Sequence, residues 1–168
     1  MAVVGELHIS FVCTGNICRS PMAEKILLGY LSRAGLDGRI RVSSAGTHDW
    51  HAGSEADPRT TATLRRHGYP TGHCAAGFGA EHADADLVVG MTTEHDRTLA
   101  IRGIPHERRR LLRSFDPDAD GTDVPDPYYG GTEEFELVRA QIEAAVPGLL
   151  DWVDAALTAR APVTGGAA

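Results

Sequence analysis

The chain has 168 residues, 42% of them hydrophobic and 23% charged, which is ordinary for a soluble globular protein with a real core. A net charge of −7 argues against a general nucleic-acid binder, and no apolar run approaches the roughly 20 residues that a membrane helix needs. Three cysteines are too few for a disulfide scaffold, and Met1–Glu6 lacks the basic start of a secretion signal; a reducing cytoplasm is the expected setting, with export by a signal-less route left open.

Taken in chain order, helical and strand patterns alternate. Leu7-His8-Ile9-Ser10-Phe11-Val12 reads as a buried strand, and residues about 20 to 34 as an amphipathic helix with Pro21 in its first turn and Gly35 as its stop. Ile40 to Ala45 is a second strand. Asp57 and Pro58 supply an N-cap and first position for a helix to about His67, before Gly68. Asp86 to Met91 is a third strand, followed by a helix capped by Thr92 or Thr93 and running to about Arg102. Arg110 to Arg113 is a short fourth strand. Residues 116 to 131, rich in Asp, Pro and Gly, must be loop. A last helix starts at Thr132 with Glu133 and Glu134 at its positive end, and Pro147-Gly148 should kink or split it. The pattern predicts an α/β fold of three layers, α/β/α, around a central four-stranded parallel sheet, with ligands bound at the carboxyl ends of the strands. Residues 1–160 are expected to form one domain and residues 161–168 a mobile tail of small residues.

The chemistry concentrates in Cys13-Thr14-Gly15-Asn16-Ile17-Cys18-Arg19-Ser20, between the first strand and the first helix. Strand, glycine-containing loop and helix together point backbone N–H groups at a phosphate. A cysteine that opens such a loop sits in the same positive field and is expected to act as a thiolate nucleophile, so Cys13 is more than a buried thiol. Arg19 is a two-pronged donor for phosphate oxygens, and as a cation at a helix N-terminus it calls for an anion nearby. Gly15 lets the backbone approach closely, and Asn16 tolerates a left-handed conformation while bonding across the loop. Ser20 is a possible N-cap and a hydroxyl within reach of the thiolate.

Cys-x5-Arg-Ser near the start, written CTGNICRSPMAE, together with Asp126-Pro127-Tyr128-Tyr129 far downstream, resembles the low-molecular-weight protein tyrosine phosphatases, bacterial type, over roughly residues 7 to 158. The resemblance implies a phosphatase that hydrolyses phosphotyrosine monoesters through a phosphocysteine on Cys13. Arg19 and the amides of Thr14, Gly15, Asn16, Ile17 and Cys18 would bind the phosphate. Asp126 would be the general acid and base; spacing alone does not single it out from Asp116, Asp118, Asp120 and Asp123, but the Pro127-Tyr128-Tyr129 context does. Ser20 would stabilise the thiolate and Ser44 would hold Asn16. His73 and Glu24 match a histidine–carboxylate pair that would raise the histidine's pKa. Trp50, Tyr128 and Tyr129 are candidate walls of a deep pocket that stacks on a phenyl ring. The resemblance also implies that Trp50 shapes substrate choice and that the tyrosine pair is open to phosphorylation, with a cognate tyrosine kinase as partner. Cys18 is either the partner of a protective disulfide with Cys13, as in the family, or a small packing residue. Expected partners are phosphotyrosine proteins and inorganic phosphate or other oxyanions as product or inhibitor, with no nucleic acid, membrane, metal or cofactor. After the third strand the family usually has Met-Asp where this chain has Met91-Thr92.

Rival readings are weaker. An arsenate reductase on this scaffold needs two further cysteines close together, and only Cys74 remains. An arginine phosphatase typically has Thr at the place of Ile17. Asp116-x-Asp118-x-Asp120-Gly121 opens like a calcium loop, but its twelfth position is Pro127. Arg108-Arg109-Arg110 reads as a solvated basic run.

Overall fold

The computed structural model describes residues 7–161; the tail expected over 161–168 lies, from 162 on, outside the described residues. Four strands, β1 (Leu7–Cys13), β2 (Ile40–Gly46), β3 (Leu87–Gly90) and β4 (Arg109–Leu111), form one parallel sheet in the order β2-β1-β3-β4. Five helices accompany them: α1 (Arg19–Arg33), α2 (Pro58–Arg66), α3 (Ala80–Ala83), α4 (Thr93–Ile101) and α5 (Thr132–Arg160). The single turn α3 has no counterpart among the sequence expectations.

All seven residues of β1 are buried, because it is an inner strand covered on both faces. Side chains alternate across a strand, so Leu7, Ile9, Phe11 and Cys13 join the larger core with α1 and α5, and Val12 joins a smaller one with Val88, Leu99 and Ile104. The larger core takes Met22, Ile26 and Leu27 from α1, and Phe135, Val138, Ile142 and Leu149 from α5. Three layers result. β2 lies on one side of β1 and β3 on the other, so the chain changes direction across the sheet at β1, and the carboxyl end of β1 faces that crevice.

Local chemistry explains most element ends. The left-handed Gly35 (φ 72°) follows α1, and Leu36 N–H closes back to Leu31 O at 2.9 Å. The Asp57 carboxylate caps α2 by accepting from Arg59 N at 2.9 Å. Thr92 caps α4, its hydroxyl accepting from His95 N at 3.2 Å.

Four expectations are corrected. The fourth strand is Arg109–Leu111, and the chain then tightens into a 3-10 turn over Leu112–Phe115. Leu112 and Phe115, three apart, both turn into the core, which an extended strand would not allow. Pro147 does not split the last helix, which runs on to Arg160. Val146, Leu149 and Val153 are buried, and at about 1.5–3 kcal/mol each their burial outweighs the ~3 kcal/mol of an interior proline. The arginine run is no free basic patch: Arg108 Nη1 donates to Ala83 O and Ala85 O, and Arg109 donates to Ile104 O and pairs with Asp96. Ser20 is not the N-cap of α1, because the helix already starts at Arg19; the serine hydroxyl is turned into the site instead.

Candidate active site

The loop between β1 and α1 is held from below and behind. Asn16 is the one non-glycine residue with positive φ (59°) among those described, as expected of an asparagine in a tight loop. Its side-chain amide donates to Ser20 Oγ at 2.8 Å and to Ser44 Oγ at 2.9 Å, and its Oδ1 accepts from Ala76 N at 2.9 Å. Ser44 passes its own proton on to Glu24 Oε1 at 3.0 Å, and Glu24 is ion-paired with Lys25 at 2.8 Å. Ser20 Oγ accepts from Asn16, and its hydroxyl hydrogen has two partners in reach, Cys13 Sγ at 3.0 Å and Ala45 O at 3.5 Å. Hydrogen bonds from Asn16 through Ser20 thus reach the Cys13 sulfur.

The loop also hangs on β2. Thr47 N donates to Cys13 O at 2.8 Å and His48 N to Thr14 O at 3.0 Å. Among the described residues, the N–H groups of Gly15, Asn16, Ile17 and Cys18 have no protein acceptor. They are the amides that the sequence offers as a backbone cradle for a phosphate. Gly15 needs no unusual dihedral; it is glycine because a Cβ there would lie 2.9 Å from the His51 ring.

Arg19 is 5% exposed, yet its guanidinium is aimed. Nη1 donates to Val124 O at 3.0 Å and Nη2 lies 3.8 Å from Asp126 Oδ2. The anion that a cation at this helix end requires is thus the Asp126 carboxylate, 48% exposed, whose Oδ1 accepts from Tyr128 N at 3.1 Å. Cys13, Arg19 and Asp126 line one pocket of about 250 Å³, with Trp50, His51, Tyr128 and Tyr129 as its aromatic rim. Trp50 is 69% exposed and stacks on His48 with ring centroids 4.1 Å apart.

Cys18 is buried, and burial, the Asp57 charge and Cys13 push its thiol up to about 12. It is a neutral thiol, and both it and Cys13 are unbridged. His73 departs from the expected pairing. Its Nε2–H donates to Asn16 O at 2.8 Å, and burial lowers its pKa although the Asn16 bond and the Glu24 charge oppose that. Ser44, not His73, is the hydrogen-bonding partner of Glu24.

Three contributors were not singled out from the sequence. His95, buried, joins Thr14 Oγ1 (2.9 Å from Nε2) to Thr92 Oγ1 (3.1 Å from Nδ1). Burial and then Arg19 lower its pKa to about 4, which keeps it neutral. The signal was Thr92-x-x-His95, a cap residue and a polar side chain reaching back from the third helical position. His51 was signalled only by its place beside Trp50. Gly46 had no local signal: a Cβ there would lie 2.6 Å from His48 O and 2.7 Å from Thr14 O. Among the described residues, no group of three or more His, Cys, Asp or Glu is arranged to hold a metal ion, and the calcium-like run is engaged otherwise, Asp120 with Arg113 and Asp116 with Asp118 N.

A parallel α/β sheet with a cysteine loop at the carboxyl end of its inner strand, facing an arginine and a carboxylate, defines a cysteine-loop enzyme of the phosphate-ester type. A model of the low molecular weight phosphotyrosine protein phosphatase family matches residues 8–160. The low molecular weight protein-tyrosine phosphatase A of Mycobacterium tuberculosis is 55% identical over 159 residues, covering 93% of this chain and 97% of that protein. A crystal structure of a protein tyrosine phosphatase from Entamoeba histolytica superposes with a TM-score of 0.84 at 28% identity, over 89% of this chain and 98% of the other. That of a Drosophila arginine phosphatase does so with 0.80 at 29%, over 86% and 96%. The chain belongs to the low molecular weight protein-tyrosine phosphatase family and is a phosphoric monoester hydrolase of that class.

Proposed function

We propose that residues 7–160 form one phosphatase domain that hydrolyses phosphotyrosine in proteins by two displacements at Cys13. The observation that carries this reading is the Cys13 sulfur, fed by the Ser20 hydroxyl, on the wall of a pocket shared with Arg19 and Asp126. The thiolate attacks phosphorus; the P–O bond to the tyrosine breaks, and the departing oxygen takes the proton of Asp126. Arg19 and the amides of residues 14–18 hold the three equatorial oxygens, replacing water with fixed donors. Asp126, now a carboxylate, takes a proton from water as it attacks the phosphocysteine, and inorganic phosphate leaves with the thiolate regenerated. The aromatic rim of Trp50, Tyr128 and Tyr129 suits a phenyl ring, which supports phosphotyrosine over phosphoserine. The setting is the cytoplasm, where Cys13 stays reduced, and the partners are phosphotyrosine proteins, with a tyrosine kinase acting on Tyr128 or Tyr129, the latter 92% exposed.

The test is phosphate release from matched phosphotyrosine, phosphoserine and phosphoarginine peptides. Turnover on phosphotyrosine alone, abolished in Cys13→Ser and reduced about 10²–10⁴-fold in Asp126→Asn, is expected. Turnover on phosphoarginine instead would overturn the substrate assignment, and full activity of Cys13→Ser would overturn the mechanism.

A further inference from the structure

Asp126 sits in a long segment without regular structure, between Phe115 and Thr132. No sheet ladder fixes it, so side chains from elsewhere must. Upstream, Val124 N donates to Met91 O at 2.8 Å and Val124 O accepts from Arg19. Downstream, the fastening comes from α2. Arg59 Nη1 donates to Gly130 O at 2.9 Å and Nη2 to Tyr128 O at 3.0 Å. Its Nε and Nη2 grip the two oxygens of the Asp57 carboxylate at 3.0 and 2.9 Å. The guanidinium lies 4.6 Å from the Phe135 ring centroid and 5.6 Å from that of Tyr128.

The other end of this grip reaches the phosphate loop. Asp57 N donates to Ile17 O at 2.9 Å, and Thr60 Oγ1 donates to the same carbonyl at 3.2 Å. Asp57 also caps α2, so the point from which Arg59 springs is itself rigid. Asp57 and Arg59, two positions apart, therefore span the loop that carries the nucleophile and the loop that carries the acid.

We propose that Arg59 is a positioning residue for the reaction: it ties the Asp126 loop to the phosphate loop so that the Asp126 proton is delivered to the leaving oxygen. This rests on reading Asp126 as the general acid. The planar fork is what the site needs. One guanidinium serves two carbonyls and a carboxylate at fixed angles, whereas an ammonium is a point donor on a flexible stem. Without the fork, the segment after Asp126 is left with short-range hydrogen bonds, Tyr128 N to Asp126 Oδ1, Gly130 N to Pro127 O and Gly131 N to Glu134 Oε2. The carboxyl then leaves its productive position, and small misplacements weigh heavily on a proton in flight.

The test reads the proton, not the fold. Aryl phosphates with leaving groups of rising pKa are assayed with Arg59→Ala and Arg59→Lys, each with and without Asp126→Asn. A good leaving group needs no acid and a poor one does. Arg59→Ala should lose roughly tenfold more kcat/KM on phenyl phosphate than on dinitrophenyl phosphate, with Arg59→Lys recovering only part of it. In the Asp126→Asn background the same substitution should cost under about twofold, since it acts through a group already removed. A loss of equal size across the leaving-group series, or of equal size in the Asp126→Asn background, overturns the positioning role. If Asp126→Asn alone leaves the leaving-group dependence as in the wild type, the acid assignment falls and the role of Arg59 with it. Should Arg59→Ala fail to fold, Arg59→Lys and Arg59→Gln carry the same comparison.

Discussion

Gly46 offers the sharpest test of how the catalytic loop is supported. It ends β2, pairs with Cys13 across the sheet, and is threaded between the phosphate loop and the Ala76–Phe78 segment by Gly46 N to Ala76 O and Phe78 N to Gly46 O, each 2.8 Å. An added Cβ would stand 2.6 Å from His48 O and 2.7 Å from Thr14 O, both main-chain atoms that cannot rotate away. Relief needs roughly 0.7–0.8 Å of movement at each carbonyl before ordinary contact distances are restored. Such overpacking costs about 1–3 kcal/mol, or roughly 2–12 °C in Tm for a chain of this size. Part of the movement falls on Thr14, next to the nucleophile, and a misplacement approaching 1 Å at a reacting centre is worth ~10²-fold in rate. Gly46→Ala should therefore lower kcat/KM on an aryl phosphate by roughly 10–100-fold and Tm by several degrees. Thermal melts and steady-state kinetics on the purified variant measure both. Wild-type kinetics with an unchanged Tm would refute the idea that β2 holds the loop in place.

Other expectations are simpler. Asn16→Ala removes three buried hydrogen bonds and leaves a non-glycine residue at φ 59°; at about 1 kcal/mol per bond, Tm should fall by several degrees and kcat by tenfold or more, which melts and single-turnover assays would check. Cys18, pushed up to about 12, stays a thiol; iodoacetamide at neutral pH should modify Cys13 and the exposed Cys74 but spare Cys18, as peptide mass spectrometry would read, and equal labelling of Cys18 would contradict the burial argument. His95 has a folded pKa of about 4 against 6.5 unfolded, so the unfolded state binds the proton first on acidification. Its contribution is complete above about pH 6.5 and is lost as pH falls toward 4, roughly 3 kcal/mol in all. Urea midpoints across that range should drop less steeply in His95→Gln; identical slopes would show that another group carries the loss.

How much of this was legible in the sequence differs from residue to residue. Local rules place the ends of α1, α2 and α4, because caps, glycines with positive φ and prolines act within one turn of the chain. The cysteine loop is equally local: the proposed nucleophile and the amides without a protein acceptor all lie between Cys13 and Ser20, so eight consecutive letters describe it. Asp126 was readable only through its Pro-Tyr-Tyr context, since five aspartates share that loop and spacing cannot rank them. The structure places the Arg19 guanidinium beside it.

Where the sequence alone falls short, the deciding contact joins distant segments. Pro147 looked like a helix break, but Val146, Leu149 and Val153 are buried in a core that no local window contains. Arg108 and Arg109 looked solvated until the carbonyls of Ala83, Ala85 and Ile104 came within reach. His73 was matched to Glu24, yet packing turns it to the Asn16 carbonyl and hands Glu24 to Ser44. Gly46 and Arg59 carry no local mark at all. The chain's local chemistry determined what the site is made of; only the folding of distant loops onto β1 decided which side chains hold it in shape, because hydrogen bonds such as Ser44 to Glu24 and Arg19 to Val124, 20 and 105 residues apart, depend on where the core lets the backbone run.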